Sequence, residues 1–257
     1  MPFAVTDDDC ELYYEQRGNG RAIAFVSGFM GITDIWDQQI AACAAGYHCI
    51  AHDNRGAGRS DKPMPRVAYG VDRHALDLEL VLAAAGIDRV VLVGHSMGGN
   101  IASQYALAHP DKVAGIVFVG SYVSGRQILE AGNTLEGLKA AIRTKAGRVA
   151  FYVGVGLSER IALESAKWPL YALLGNAESF MAFDLAQRIR ELTMPCLVIH
   201  GDGDVVSPLE PCGTELAQGL PDCTLEVLAG VNHCPMTEQP ERTTDLILRF
   251  ITERVHW

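Results

Sequence analysis

Residues 90–100 read VVLVGHSMGGN: four apolar residues, then Gly94, His95, Ser96, Met97, Gly98, Gly99 and Asn100. An apolar run of strand length that breaks into glycines with one serine between them predicts a strand turning sharply into a helix. A side chain at the tip of such a turn is pushed out of the sheet, and its neighbours must be very small. Gly94 and Gly98, two before and two after Ser96, meet that demand, with Gly99 and Ala102 leaving room on the helix side. The N–H groups that open the helix point at whatever meets the serine, and the helix dipole favours negative charge there. Phosphate binding is the competing use of a glycine-rich turn. Gly94 and Gly99 have P-loop spacing, but Asn100 and Ile101 stand where Lys and Ser/Thr are required, and His95 and Ser96 interrupt a GxGxxG fingerprint.

Outward from this turn, apolar runs of strand length recur at Glu11–Gln16, Ala22–Ser27, His48–Asp53, Val90–Gly94, Ala114–Gly120, Cys196–Gly201 and Thr224–Ala229. Several are near-continuous in Val, Ile, Leu and Ala, the pattern of strands buried on both faces of a parallel sheet. Helical segments at Asp34–Ala45, Asp72–Ala85, Met97–His109, Leu209–Leu220 and Glu241–Val255 alternate with them. In the second, Leu76, Leu80 and Ala83 form one stripe, and Gly86 stops the helix. Strand–helix alternation predicts an α/β fold with a mostly parallel, doubly wound sheet. Between Ser121 and Glu191 the texture is helical with no buried strand. The expected organisation is a core of residues 1–120 and 192–257 with a helical cap, 121–191, inserted between two core strands.

Composition narrows the partners. The 257 residues are 49% apolar and 20% charged, an ordinary globular balance, and the net charge of −10 speaks against nucleic acid or an anionic membrane. The acidic start of the chain does not resemble a signal peptide, and no apolar run approaches the roughly 18 residues of a membrane span. Seven cysteines without a CxxC pair read as reduced thiols in a cytoplasmic protein. His200 with Asp202 lacks a second histidine pair, so neither a metal nor another cofactor is expected.

Serine is a weak nucleophile at neutral pH. It needs a base, and the base needs an orienting carboxylate. Both belong at later strand ends. The segment MPCLVIHGDGDVVSP offers Asp202 and Asp204 after one strand, and LEVLAGVNHCPMTEQPE offers His233 after the next. The chain order is nucleophile, acid, base.

These segments resemble the α/β-hydrolase superfamily over nearly the whole chain outside the cap. GHSMGG is similar to its nucleophile turn, and DNRGAGRSD (Asp53–Asp61) to its DxRGxGxS loop. GDGDVVSP resembles the acid loop GxxDxxxP, which puts Asp204 rather than Asp202 in the acid position. NHCPMTEQPE resembles the histidine loop HxxxxExP, with His233, Glu238 and Pro240. Members that carry the acid after the strand preceding the cap would need a carboxylate near Gly120-Ser121-Tyr122, and none is there. The resemblance implies the α/β-hydrolase fold and a catalytic triad of Ser96, Asp204 and His233. It also implies an oxyanion hole from the backbone N–H groups of Phe29 and Met97. One departure stands out: in Ser27-Gly28-Phe29 a serine replaces the usual histidine.

Serine at position 96 speaks against dehalogenase and epoxide hydrolase chemistry, which use aspartate there, and leaves acyl chemistry. Length, cap and the LYYEQRG texture are similar to 3-oxoadipate enol-lactonases and small carboxylesterases. The expected partner is a small, largely apolar ester or lactone, with Phe29, Met30, Tyr122 and Trp168 as substrate-binding residues. Met97, Phe151, Phe180, Met181 and Phe183 are further candidates to line the pocket; the sequence assigns no arginine as a carboxylate clamp, with Arg126 and Arg143 the open options. Alternatives are a C–C bond hydrolase or acyltransferase on the same triad, or a small-molecule receptor.

Overall fold

The computed structural model describes residues 2–29, 31–64 and 66–257. Its strands are β1 (Phe3–Val5), β2 (Glu11–Arg17), β3 (Ala22–Val26), β4 (His48–His52), β5 (Val90–His95), β6 (Val113–Val119), β7 (Cys196–Gly201) and β8 (Cys223–Leu228). They form one sheet in the order β1-β2-β4-β3-β5-β6-β7-β8; β1–β2 and β2–β4 are antiparallel and all other pairs parallel. The predicted strands are therefore present, shifted by at most a residue at either end. The strand the sequence reading missed, β1, is three residues long and pairs only at the edge.

The apolar runs separate into two cores because alternate side chains of a strand point to opposite faces. In β3, Ala22, Ala24 and Val26 face one core while Ile23 and Phe25 face the other; in β5, Val90 and Leu92 divide in the same way from Val91 and Val93. Helices α1 (Asp37–Cys43), α2 (Val71–Ala84) and α3 (Met97–Ala108) follow β3, β4 and β5. The α2 stripe differs from expectation. Val71, Ala75, Leu78, Val81 and Leu82 are buried, whereas Leu76 is 48% exposed and Ala83 faces solvent. Two apolar stripes lie side by side on this helix. The side that turns inward also carries Asp77 and His74, whose polar atoms are bonded to buried Arg55 and Asn176. The segment predicted as one helix from Asp34 starts as a 3-10 turn, Thr33–Trp36, before α1.

Between β6 and β7 run five helices: α4 (Gly125–Glu130), α5 (Leu135–Ile142), α6 (Lys145–Gly154), α7 (Glu159–Ser165) and α8 (Leu170–Ala182). Local sequence sets their starts. Ser124 forms a capping box with Gln127, and Thr134, Thr144 and Ser158 each accept the N–H three residues on. After β7 comes α9 (Thr214–Gly219), and after β8 come α10 (Pro235–Glu238) and α11 (Pro240–Arg254). The helix predicted over 209–220 is regular only over α9; Leu209–Gly213 before it is kinked, with Glu210 in a non-helical conformation (φ −101°, ψ 118°). Pro211 has no N–H for a regular helix there. Among the described residues no helix is long and apolar enough to cross a membrane.

Candidate active site

Strands β3 and β5 are neighbours, but the chain leaves β3 toward β4 and leaves β5 toward β6, on opposite sides. Such a reversal opens a crevice at the carboxyl ends of the strands. Ser27 follows β3 and Ser96 follows β5, so both lie at this crevice.

Ser96 has φ 52° and ψ −122°, a conformation that L-residues seldom adopt. The turn is held by backbone bonds: the Ser96 N–H donates to the Val119 carbonyl at 2.9 Å, and the Ser96 carbonyl accepts from Gly99 N–H at 2.9 Å and Ser121 Oγ at 2.7 Å. The flanking glycines are required by close approach. A Cβ on Gly94 would lie 2.5 Å from the Gly98 carbonyl oxygen, and one on Gly98 would run into the Val26 carbonyl. Met97 is the first residue of α3, so its N–H has no partner within the helix.

The candidate acid and base, Asp204 and His233, come from the loops after β7 and β8. His233 Nδ1–H donates to Asp204 Oδ2 at 2.8 Å, and Ser96, Asp204 and His233 are all about 95% buried, at 6, 5 and 5% exposure. Asp204 Oδ1 accepts the N–H groups of Val206 at 2.8 Å and Ser207 at 2.9 Å; Oδ2 has Ser207 Oγ at 3.0 Å and His200 Nε2 at 3.4 Å. Burial alone would raise the Asp204 carboxyl, but the charge of His233 and the bonds from His200 and His233 hold it well below the usual carboxylate range. Asp202, the other candidate, is exposed and accepts the N–H of Gly230 at 2.7 Å instead. Glu238 brackets His233, accepting the N–H groups of Asn232 and Cys234, each at 2.9 Å. His233 Nε2 forms no hydrogen bond with the described residues, so its lone pair is open.

Ser96 and His233 line one cavity of about 210 Å³, roofed by the helices between β6 and β7. Its wall includes Phe29, Tyr122, Ile128, Leu138, Phe151, Tyr152, Phe180 and Met181, and no Asp, Glu, Lys or Arg is among the described lining residues. Phe29 packs on Phe180 with ring centroids 5.3 Å apart, and Tyr152 donates to the Phe29 carbonyl at 3.3 Å.

Several expected residues lie elsewhere. Trp168 is not in the cavity wall; it is 3% exposed, packed between α7 and α8, where its carbonyl accepts Arg148 Nη1 at 2.6 Å. Phe183 lines a separate groove with Gly70 and Gln104. Arg126 is on the surface beside Glu130, and Arg143 is exposed, so neither is placed as a clamp. Met30 lies outside the described residues.

Ser27, the departure from pattern, ties its own loop together, donating to the Ile32 carbonyl at 3.1 Å and accepting from Trp36 Nε1 at 3.2 Å. A small hydroxyl suits this position, because Gly31 packs directly on the Ser27 Cβ. The sequence reading missed Ser207, Asn133, Asn232 and Tyr152. Only Ser207, three residues after the carboxylate it supports, carries a local signal. Among the described residues, no group of three or more His, Cys, Asp or Glu is placed to hold a metal ion.

Comparison with known proteins agrees with this fold. Residues 21–154, just over half of the chain, match the family model for the alpha/beta hydrolase fold. A non-heme haloperoxidase of Rhodococcus erythropolis is 28% identical over 98% of this chain and 99% of its own. The solved bromoperoxidase from Bacillus anthracis superposes with a TM-score of 0.89 at 25% identity, covering 98% of this chain and 99% of the other. A solved N-acyl homoserine lactone degrading enzyme superposes with a TM-score of 0.83 at 29% identity, covering 97% of this chain and 100% of the other.

Proposed function

Because the chain belongs to the alpha/beta hydrolase fold family, we propose that it is a serine hydrolase that cleaves small, uncharged, largely apolar carboxylic esters or lactones through an acyl-enzyme. Ser96 is the nucleophile, His233 the general base and then acid, and Asp204 the carboxylate that orients the imidazole. The backbone N–H groups of Phe29 and Met97 form the oxyanion hole. Residues 121–191 act as a cap over a core of 1–120 and 192–257, and Phe29 and Tyr122 contact the substrate from the cavity wall.

One observation carries this reading: the serine on the strained turn and the histidine bonded to a buried aspartate open onto the same cavity. With Nδ1–H donated to Asp204, Nε2 is the nitrogen free to take the Ser96 proton. Attack on the substrate carbonyl forms the Oγ–C bond and moves negative charge to the carbonyl oxygen, where the N–H groups at the start of α3 and in the Phe29 loop receive it. His233 then returns the proton to the leaving alcohol, or to the ring oxygen of a lactone. Water, activated by the same histidine, releases the acid. The lining without charged side chains supports an uncharged substrate, since a carboxylate would be desolvated there without a partner. The lactone-degrading structural relative supports lactones alongside open-chain esters.

The test is a panel of p-nitrophenyl acetate and butyrate, neutral lactones and carboxylate-bearing esters, run with wild type and Ser96→Ala. The neutral substrates should turn over and lose at least about 10⁴-fold in kcat in the variant, and a serine-directed phosphonate should label Ser96. Hydrolysis persisting at the wild-type rate in Ser96→Ala would overturn the mechanism. Preference for the carboxylate-bearing esters would overturn the substrate class.

A further inference from the structure

Val205 directly follows Asp204, and its side chain is 58% exposed, so no apolar packing anchors it. Its backbone is gripped from two sides instead. The Val205 N–H donates to Asn232 Oδ1 at 3.1 Å. Its carbonyl accepts Asn133 Nδ2 at 3.1 Å, and the same amide reaches the Val206 carbonyl at 3.0 Å. Asn232 immediately precedes His233, and its own Nδ2 donates to the Gly154 carbonyl at the end of α6 at 3.1 Å. Asn133 precedes the Thr134 cap of α5 and lines the cavity. Two asparagines thus join the cap helices, the loop of the acid and the loop of the base.

The connection matters because the gripped backbone sits directly beside the carboxylate. The N–H groups of Val206 and Ser207 fix Asp204 Oδ1, so a displacement of Val205–Val206 turns the carboxylate away from His233 Nδ1. The cap has a separate tie nearby, from Thr237 Oγ1 to the Gly156 carbonyl at 2.8 Å. Losing Asn232 therefore loosens the acid loop without detaching α6.

We propose that Asn133 and Asn232 are positioning residues, which clamp the Val205 backbone between cap and base loop so that Asp204 is aligned on His233 only while the cap is seated over the cavity. This rests on the triad reading above and extends it: the cap is part of the machinery that aligns the acid and base, as well as a wall of the pocket.

The experiment uses the full chain with Asn133→Ala, Asn232→Ala, the double variant and Asn232→Asp, which keeps the acceptor for the Val205 N–H. Kinetics on p-nitrophenyl butyrate are followed across pH, with the active fraction counted by phosphonate titration. Each alanine variant should lose about ten- to a hundredfold in kcat per titrated site, with a smaller change in KM. The acid limb of kcat/KM should move to lower pH, because an imidazolium that loses its carboxylate is easier to deprotonate. The groups facing His233 are Asp204, Ser207, His95 and Cys234, with His200 beyond Asp204 and the Glu238 carboxylate on the backbone N–H groups to either side; the loop that carries Asp204 and Ser207 is what the substitutions loosen. The double variant should lose less than the product of the singles, and Asn232→Asp should recover most of the Asn232→Ala loss. An independent readout is the downfield Nδ1–H proton resonance of His233, identified by its absence in His233→Gln, which should broaden in the alanine variants. Unchanged kcat with an unchanged resonance overturns the clamp, as does a loss explained wholly by a smaller titratable fraction with an unmoved acid limb. If Ser96→Ala retains hydrolysis, the triad reading falls on that result alone, and the resonance still decides the clamp.

Discussion

The Nε2–H of His95 donates to the carbonyl oxygen of His233 at 2.9 Å, and the two imidazoles lie tilted together with ring centroids 4.8 Å apart. His95, the residue before Ser96, thus braces the backbone of His233. Burial, then the neighbouring His233, pushes the His95 pKa down to about 3, so its ring is neutral and its donor role is fixed at working pH. His95→Phe removes the donor and leaves a buried carbonyl unpaired. The expected cost is about 1–3 kcal/mol in urea unfolding, together with a fall in kcat, since the backbone that carries the imidazole is no longer held.

Acid should destabilise the fold well before the carboxylates titrate. His52, His74 and His95 are buried, and burial lowers all three, His74 to about 4. His74 faces Asn176, Asp77, Arg55 and His52, and burial outweighs the acidic neighbour. For a histidine with a depressed folded pKa, the unfolded chain binds the proton first. The stabilisation is whole above the ordinary value of 6.5 and is lost as pH falls toward the folded value. Each such histidine contributes a slope of up to about 1.4 kcal/mol per pH unit in that window. Urea midpoints between pH 7 and pH 5 should fall, and His74→Gln should flatten the slope by one histidine's share. An unchanged slope in that variant would show that His74 titrates alike in both states.

The tight turn around Ser96 and the parallel strands are legible in the sequence because each is a local demand. Small residues must flank a tight turn, and strands covered on both faces must be apolar throughout. What was not legible depends on which of two faces meets the core. The α2 stripe of Leu76, Leu80 and Ala83 has helical spacing but points outward, because Asp77 on the inner side has Arg55 to receive it. Trp168 fails as a cavity residue for a similar reason: its size suits a packing core as well as a pocket, and spacing does not distinguish them. The clamp on Val205 has no sequence signal, since two asparagines 99 positions apart are joined only by the fold.

Arg55, from the loop after β4, is fully buried and reaches Asp77 in bidentate fashion, Nε to Oδ2 at 2.6 Å and Nη2 to Oδ1 at 2.7 Å, with Asp8 on its other edge at 2.9 Å. A buried pair contributes little net stability when intact but is costly to break, because the surviving charge has no partner. Arg55→Met leaves Asp77 with Arg73 as its remaining partner, on Oδ1 at 3.1 and 3.2 Å, so the cost should be below the about 3–5 kcal/mol of a fully orphaned buried charge. Arg55→Met with Asp77→Leu should recover a large part of that loss. Because the pair lies outside the cavity wall, kcat per folded molecule should be close to wild type in the double variant. The measurement is urea unfolding by fluorescence alongside phosphonate-titrated kinetics.

The backbone at Ser96 offers a test that separates the nucleophile from its strain. With φ 52° and ψ −122° the residue sits where a Cβ is crowded, at a cost of order 1–3 kcal/mol. Ser96→Ala removes the hydroxyl but keeps the Cβ, and with it the strain. Ser96→Gly removes both, against a smaller entropic cost of about 0.5–1 kcal/mol for glycine. Both variants should be inactive toward esters, and the glycine variant should unfold at higher urea than the alanine variant, by about 1 kcal/mol in free energy. Equal midpoints would mean that the turn relaxes when the hydroxyl goes. The strain would then belong to the serine side chain, not to the tight packing of Gly94 on Gly98 and of Gly98 on Val26 that forces the backbone into this conformation.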